Sequence, residues 1–146
     1  MNKTRRSSIV QALVDKLNNI SLLNGYKTDL GRQAFPNLKF MDNITEWPCV
    51  CVVAGPENIV HQGAGLKDRF LSVNVTCYVN EEDPIPALEG LLEDIEFVID
   101  NNSRLAYVDS SGIPSTTYDI IVTYIDTDQG ALAPLGVGEM TLQVRY

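Results

Sequence analysis

Two opposite periodicities meet in the middle of the chain. From Phe70 to Val79 apolar and polar side chains alternate, with Leu71, Val73, Val75, Cys77 and Val79 on one face and Ser72, Asn74, Thr76 and Tyr78 on the other. A period of two predicts a strand half-buried on a core. Glu81-Glu82-Asp83-Pro84 ends it, because proline has no N–H for a ladder and three adjacent carboxylates repel one another when packed. The spacing then changes to three and four residues. Leu88, Leu91, Leu92, Ile95 and Val98 or Ile99 make an apolar stripe, opposite Glu89, Glu93, Glu96 and Asp100. This predicts an amphipathic helix whose acidic side is a solvated face or a docking surface for another subunit.

The same reading extends to both ends. Ile9, Leu13, Leu17 and Ile20, widened by Val10 and Val14, predict a helix from about Thr4 to Ile20, capped by Thr4 or Ser7. After Asn24-Gly25, the segment Tyr26 to Phe35 reads as a poorly patterned strand broken at Gly31, and Phe40 to Trp47 as loop or edge strand. Cys49 to Ala54 has no polar position, which predicts a central strand buried on both faces. Pro56 to Leu66 is either a mobile loop or an extended two-stranded arm, and is a first candidate contact surface. Past the acidic helix, Leu105 to Val108 is a short strand and Ser110 to Pro114 a turn. Thr116 to Asp126 is a strand with Tyr118, Ile120, Val122 and Tyr124 on one side and Ile121 and Ile125 on the other, both faces partly covered. Thr127 to Gly138 is rich in small apolar residues, including Leu132, Pro134 and Leu135, and is a second contact candidate. The last strand, Glu139 to Tyr146, turns Met140, Leu142, Val144 and Tyr146 inward. The order helix, two or three strands, helix, two strands predicts one α+β domain over residues 1–146: a mostly antiparallel sheet with two helices packed on one face.

Composition changes this picture in one respect. The 146 residues, 45% hydrophobic and 21% charged, suit a single globular core. The net charge of −8 is unevenly spread. Residues 1–80 carry nine Lys or Arg against six Asp or Glu, whereas 81–139 carry one Arg against thirteen acids. An acidic C-terminal half repels phosphate backbones, so tight nucleic-acid binding is not expected, although a wall past which DNA slides without sticking has this character. The asymmetry also suits a head-to-tail contact between copies. No stretch approaches the ~20 apolar residues that cross a membrane, and the basic start at Lys3, Arg5 and Arg6 leads into an amphipathic segment rather than a signal peptide.

Chemistry is sparse. His61 is the only histidine and sits in a loop, where a solvated side chain is the ordinary outcome. Cys49, Cys51 and Cys77 lie in apolar runs without zinc-ribbon spacing, as expected of buried, reduced thiols. Glu81, Glu82 and Asp83 lack the alternating spacing and central glycine of a calcium loop, and Gly63 and Gly65 lack the Lys-Ser or Lys-Thr of a phosphate cradle. No catalytic residue, cofactor site or metal site is predicted, and the chain is read as a non-enzyme.

The arrangement itself then carries the reading. The N-terminal amphipathic helix, Thr28-Asp29-Leu30-Gly31, Trp47-Pro48-Cys49-Val50-Cys51-Val52, Arg69 to Val75, Leu91 to Glu96 and the final alternating strand together resemble a tail terminator protein of long-tailed bacteriophages. That resemblance implies a virion protein forming a hexameric ring on the head-proximal end of the tail tube, assembled in the host cytoplasm. Its implied partners are further copies of itself, the tail tube protein and a neck or head-completion protein. DNA would pass through without specific binding. Pro56, Glu57, Ile59, Val60, His61, Leu66, Leu132, Pro134 and Leu135 are the candidate subunit or tube contacts. Glu89, Glu93, Glu96, Asp100, Asp126 and Asp128 are the candidate acidic channel or interface face. The alternatives are another head-tail connector or tail-tube component, or a small cytosolic binding module.

Overall fold

The computed structural model describes residues 3–146. Helix α1 (Arg5–Leu17) begins at a reciprocal cap: the Ser7 N–H donates to Thr4 Oγ1 at 3.1 Å and the Thr4 N–H donates to Ser7 Oγ at 2.9 Å. Two donors that a helix start leaves unpaired are thereby satisfied. Ile9, Val10, Leu13, Val14 and Leu17 are its buried stripe. The helix ends three residues before Ile20, which is nevertheless fully buried as the chain turns back. Asn18 then fixes the return, its Oδ1 accepting the Ala34 N–H at 3.0 Å.

Seven strands follow: β1 (Ala34–Phe35), β2 (Cys49–Gly63), β3 (Leu66–Asn80), β4 (Ala106–Val108), β5 (Pro114–Thr116), β6 (Asp119–Thr127) and β7 (Leu135–Arg145), with helix α2 (Pro84–Asp100) between β3 and β4. Five form one sheet in the order β1-β2-β3-β7-β6, antiparallel except for the short β1–β2 pair, and β4–β5 is a separate hairpin. Leu71, Val73, Val75, Cys77 and Val79 of β3 share one core with Met140, Leu142 and Val144 of β7 and the stripes of both helices. The fold is α+β, with both helices on one face of a mostly antiparallel sheet, as the periodicities predict.

Several segments depart from expectation for identifiable reasons. Tyr26 to Phe35 contributes only the two-residue β1, because Gly31 and Arg32 in succession adopt positive φ of 60° and 62° and break any strand. Phe40 to Trp47 is loop with one 3-10 turn at Met41–Asn43. Cys49–Val52 is buried on both faces, but β3 is the central strand. Val50 and Val52 join the main core, whereas Ile44, Phe35, Trp47 and Tyr78 enclose Cys49 and Cys51 on the other side. The three thiols are free and buried, and burial pushes the Cys77 thiol up to about 12. The last strand starts at Leu135 rather than Glu139, since Gly136 and Gly138 let it pass beneath α2. A Cβ on Gly136 would stand 2.8 Å from Val79 Cγ2 and 3.0 Å from Pro84 Cβ.

Strand β6 differs most. A register shift between Val122 and Tyr124 pairs Tyr124 with Thr141, turning it to the face opposite Ile120 and Val122. Nor is the strand covered on both faces. Ile120 is buried, but Tyr118 and Tyr124 are 68% and 57% exposed on this sheet edge, and Ile121 and Ile125 are exposed as well.

Candidate functional site

Pro56 to Leu66 belongs to an extended two-stranded arm rather than a mobile loop. Strand β3 pairs with β7 only from Phe70 onward, so the pairs from Ile59↔Arg69 to Gly63↔Leu66 lead beyond the five-stranded sheet. The arm turns at Ala64-Gly65, both with positive φ (51° and 77°), as a tight hairpin with the natural strand twist requires. Ile59, Val60 and Leu66 are 42%, 46% and 66% exposed, and His61 stands exposed across from Lys67. Three exposed apolar side chains thus cluster on a projecting arm, outside either hydrophobic core. Pro56 is exposed at the bulge where the arm begins.

Glu57 has a different place. Its side chain is 7% exposed and occupied within the subunit: Arg69 Nη1 donates to Oε2 at 2.8 Å, Tyr146 Oη donates to Oε1 at 2.6 Å, and Arg6 Nε stands 3.9 Å away. Arg5 lies 4.7 Å from the Tyr146 ring centroid and donates to Tyr107 Oη at 3.3 Å. The cluster fixes the arm's base to α1 and to the end of the chain. Burial alone would raise the Glu57 carboxyl, but hydrogen bonds from Tyr146 and Arg69 outweigh it and hold the group below the ordinary value of 4.5. Burial first, and then the bond to Glu57, push the Tyr146 hydroxyl up to about 12. A depressed carboxyl stabilises the fold above its unfolded value and loses that contribution as pH falls through its folded value. Thermal melts below pH 4.5 are therefore expected to show a smaller further loss of stability with acid in Glu57→Gln than in the unsubstituted protein; equal slopes would contradict this.

The second contact candidate is the turn joining β6 to β7. The Asp128 carboxylate accepts the N–H groups of Gly130 and Leu132 at 3.3 and 3.2 Å, so its charge shapes the turn. Leu132 and Pro134 are exposed at its tip, and Leu135 is half-buried as β7 begins. The six acids of the predicted face do not form one surface. Glu89, Glu93, Glu96 and Asp100 line the exposed side of α2, with Glu93 bound to Lys27 Nζ at 2.5 Å. Asp126 instead pairs with Glu139 on the sheet face opposite the helices.

That open face is mostly uncharged. Ser72, Asn74 and Thr76 of β3 lie beside Thr141, Gln143 and Glu139 of β7, and Asp126 of β6 follows. Arg145 on the same face is neutralised by Asp68 at 2.8 Å. Among the described residues no cluster of His, Cys, Asp or Glu could hold a metal ion, and no helix is long and apolar enough to cross a membrane. Two buried carboxylates escape the sequence reading. Asp94 has a local signal, since it lies three residues after Leu91 on an otherwise apolar stripe; Glu57 has none, its partners being distant in sequence.

A family model described as Bacteriophage Tail Tube Terminator Protein matches residues 3–146. The chain belongs to the bacteriophage tail tube terminator family. The tail tube terminator protein p142 of Escherichia phage T5 is 34% identical over 152 residues, covering 97% of this chain and 92% of that protein. A chain from the virion of a native gene transfer agent particle superposes with a TM-score of 0.61 at 8% identity, covering 94% of this chain and 93% of that one; it shares the fold. As a tail tube terminator, this is a structural protein of the phage tail.

Proposed function

We propose that six copies of this tail tube terminator form a ring on the head-proximal end of the finished tube, assembled in the host cytoplasm. The ring stops addition of further tube protein and presents the surface that a neck or head-completion protein joins. The observation that carries this reading is the arm: a two-stranded extension with exposed Ile59, Val60 and Leu66, held in a fixed direction by the buried Glu57 cluster. A rigid apolar projection adds nothing to its own core and is suited to seat on a tube subunit or a neighbouring copy.

The open sheet face supports the placement around DNA. Hydroxyls and amides with the carboxylates of Glu139 and Asp126 offer a passing duplex no array of free cations, so it meets repulsion without attachment. Cryo-electron microscopy of tails tests the reading. Six-fold density for this chain is expected at the head-proximal end, with the open face toward the lumen and the arm against its neighbours. Density distributed along the tube, or absent from that end, would contradict it.

A further inference from the structure

Two recesses of nearly equal size and opposite charge lie at opposite edges of the sheet. Beneath the start of α1 and against the arm's base is a cleft of about 570 Å³ lined by Lys3, Arg5, Arg6 and Arg69, four cations against the single carboxylate of Glu57. Between α2 and the edge strand β6 is a groove of about 530 Å³ whose charged residues are Glu96 and Asp100. Neither of these two acids is ion-paired among the described residues. Each recess also carries exposed apolar side chains, Ile59 at the cleft and Ile125 and Tyr124 at the groove.

The register places the cleft about the rows of Arg69 and Leu71 and the groove about the adjoining rows of Ser72 to Val75. Glu57, Leu71, Val144 and Ile120 form one cross-strand row, and Ala54, Val73, Leu142 and Val122 the next. The cleft stands at the β2 end of the first row, at Glu57, and the groove at the β6 end of the second, at Val122, so the two lie on opposite edges and are offset along the strands. Two different, complementary patches on opposite sides of one subunit are what a head-to-tail contact requires, and such a contact closes into a ring when its rotation permits. We propose that the occupant of the acidic α2–β6 groove is the basic α1–arm cleft of the next copy of this chain. The proposal rests on the ring reading above and names the contact that builds it. Opposite charges steer the approach and fix which edge meets which, while Ile59 and the β6 side chains supply the apolar area.

The test uses a phage whose own copy of the gene is disabled and replaced. Glu96→Lys/Asp100→Lys alters two exposed helix positions, so the melting temperature is expected to hold, but tail-bound protein should fall at least about tenfold because like charges now face each other. Adding Lys3→Glu/Arg6→Glu to that chain restores opposite charges and should recover most of the binding. Because Arg6 stands beside Glu57, a second measurement avoids that cluster. Glu96→Cys/Ser110→Cys places one thiol on each recess, and the native cysteines are buried. A short bismaleimide should then give a ladder of covalent oligomers from assembled tails. Undiminished tail binding by the Lys variant, or wild-type tails with a visible ring whose Cys variant gives no ladder or links only to tube protein, overturns this contact. Wild-type tails without a ring overturn the ring itself, and the contact with it.

Discussion

Joining Ile59 directly to Arg69 through Asn-Gly, in place of Val60–Asp68, is expected to abolish tail completion while leaving the fold intact. Ile59 and Arg69 are register partners, so a two-residue primed turn closes the shortened hairpin without disturbing Arg69 and its bond to Glu57. The removed residues contribute nothing to either hydrophobic core. They do include Asp68, whose pair with Arg145 is partly exposed and worth little to stability. Removal of the two exposed apolar side chains Val60 and Leu66 should nonetheless lower infectious titre at least about 100-fold, the scale set by losing one or two interface hot spots. Complementation of a gene-disabled phage measures the titre, and a thermal melt of the purified chain measures the fold. Undiminished titre would remove the arm from assembly.

Asp94→Leu is expected to produce a large loss of stability. The Asp94 carboxylate is 4% exposed and accepts three hydrogen bonds: from the Lys27 N–H at 3.1 Å, the Thr28 N–H at 2.8 Å and the Thr28 hydroxyl. Those bonds hold the segment after the Asn24-Gly25 turn against α2. Leucine keeps the branched shape of aspartate, with bulkier methyl groups, but leaves two backbone donors and a hydroxyl without partners. The expected cost is about 3 kcal/mol, or a fall of about 10 °C in Tm for a chain of this length. Denaturant unfolding measures it, and a change under about 0.5 kcal/mol, ordinary for surface positions, would show that water replaces the carboxylate.

Elements whose buried face has a regular period are legible in the sequence alone. The stripes of α1 and α2 and the alternation of β3 and β7 emerge with the expected residues inward, because burial on one face forces the pattern. The arm was visible only as one of two options. From Asn58 to Gln62 neither face is buried, and an unburied strand has no period to read. The bulge in β6 inserts one residue and reverses parity at Tyr124, and nothing in Thr123 or Tyr124 announces it. Among the proposed contact residues, Ile59, Val60, Leu66 and Leu132 are exposed, as a contact requires. Glu57 is enclosed by Arg6, Arg69 and Tyr146, partners that only the folded chain brings together. The acids split between α2 and the opposite sheet face because Asp126 belongs to a strand, and strand direction is set by register rather than by charge.

The central claim is that this tail tube terminator halts tube growth. The most direct measurement is electron microscopy of a lysate in which this gene alone has been disabled in its phage. The account predicts tubes of abnormal length, separated from DNA-filled heads. Tails of normal length, with heads or without them, would contradict it.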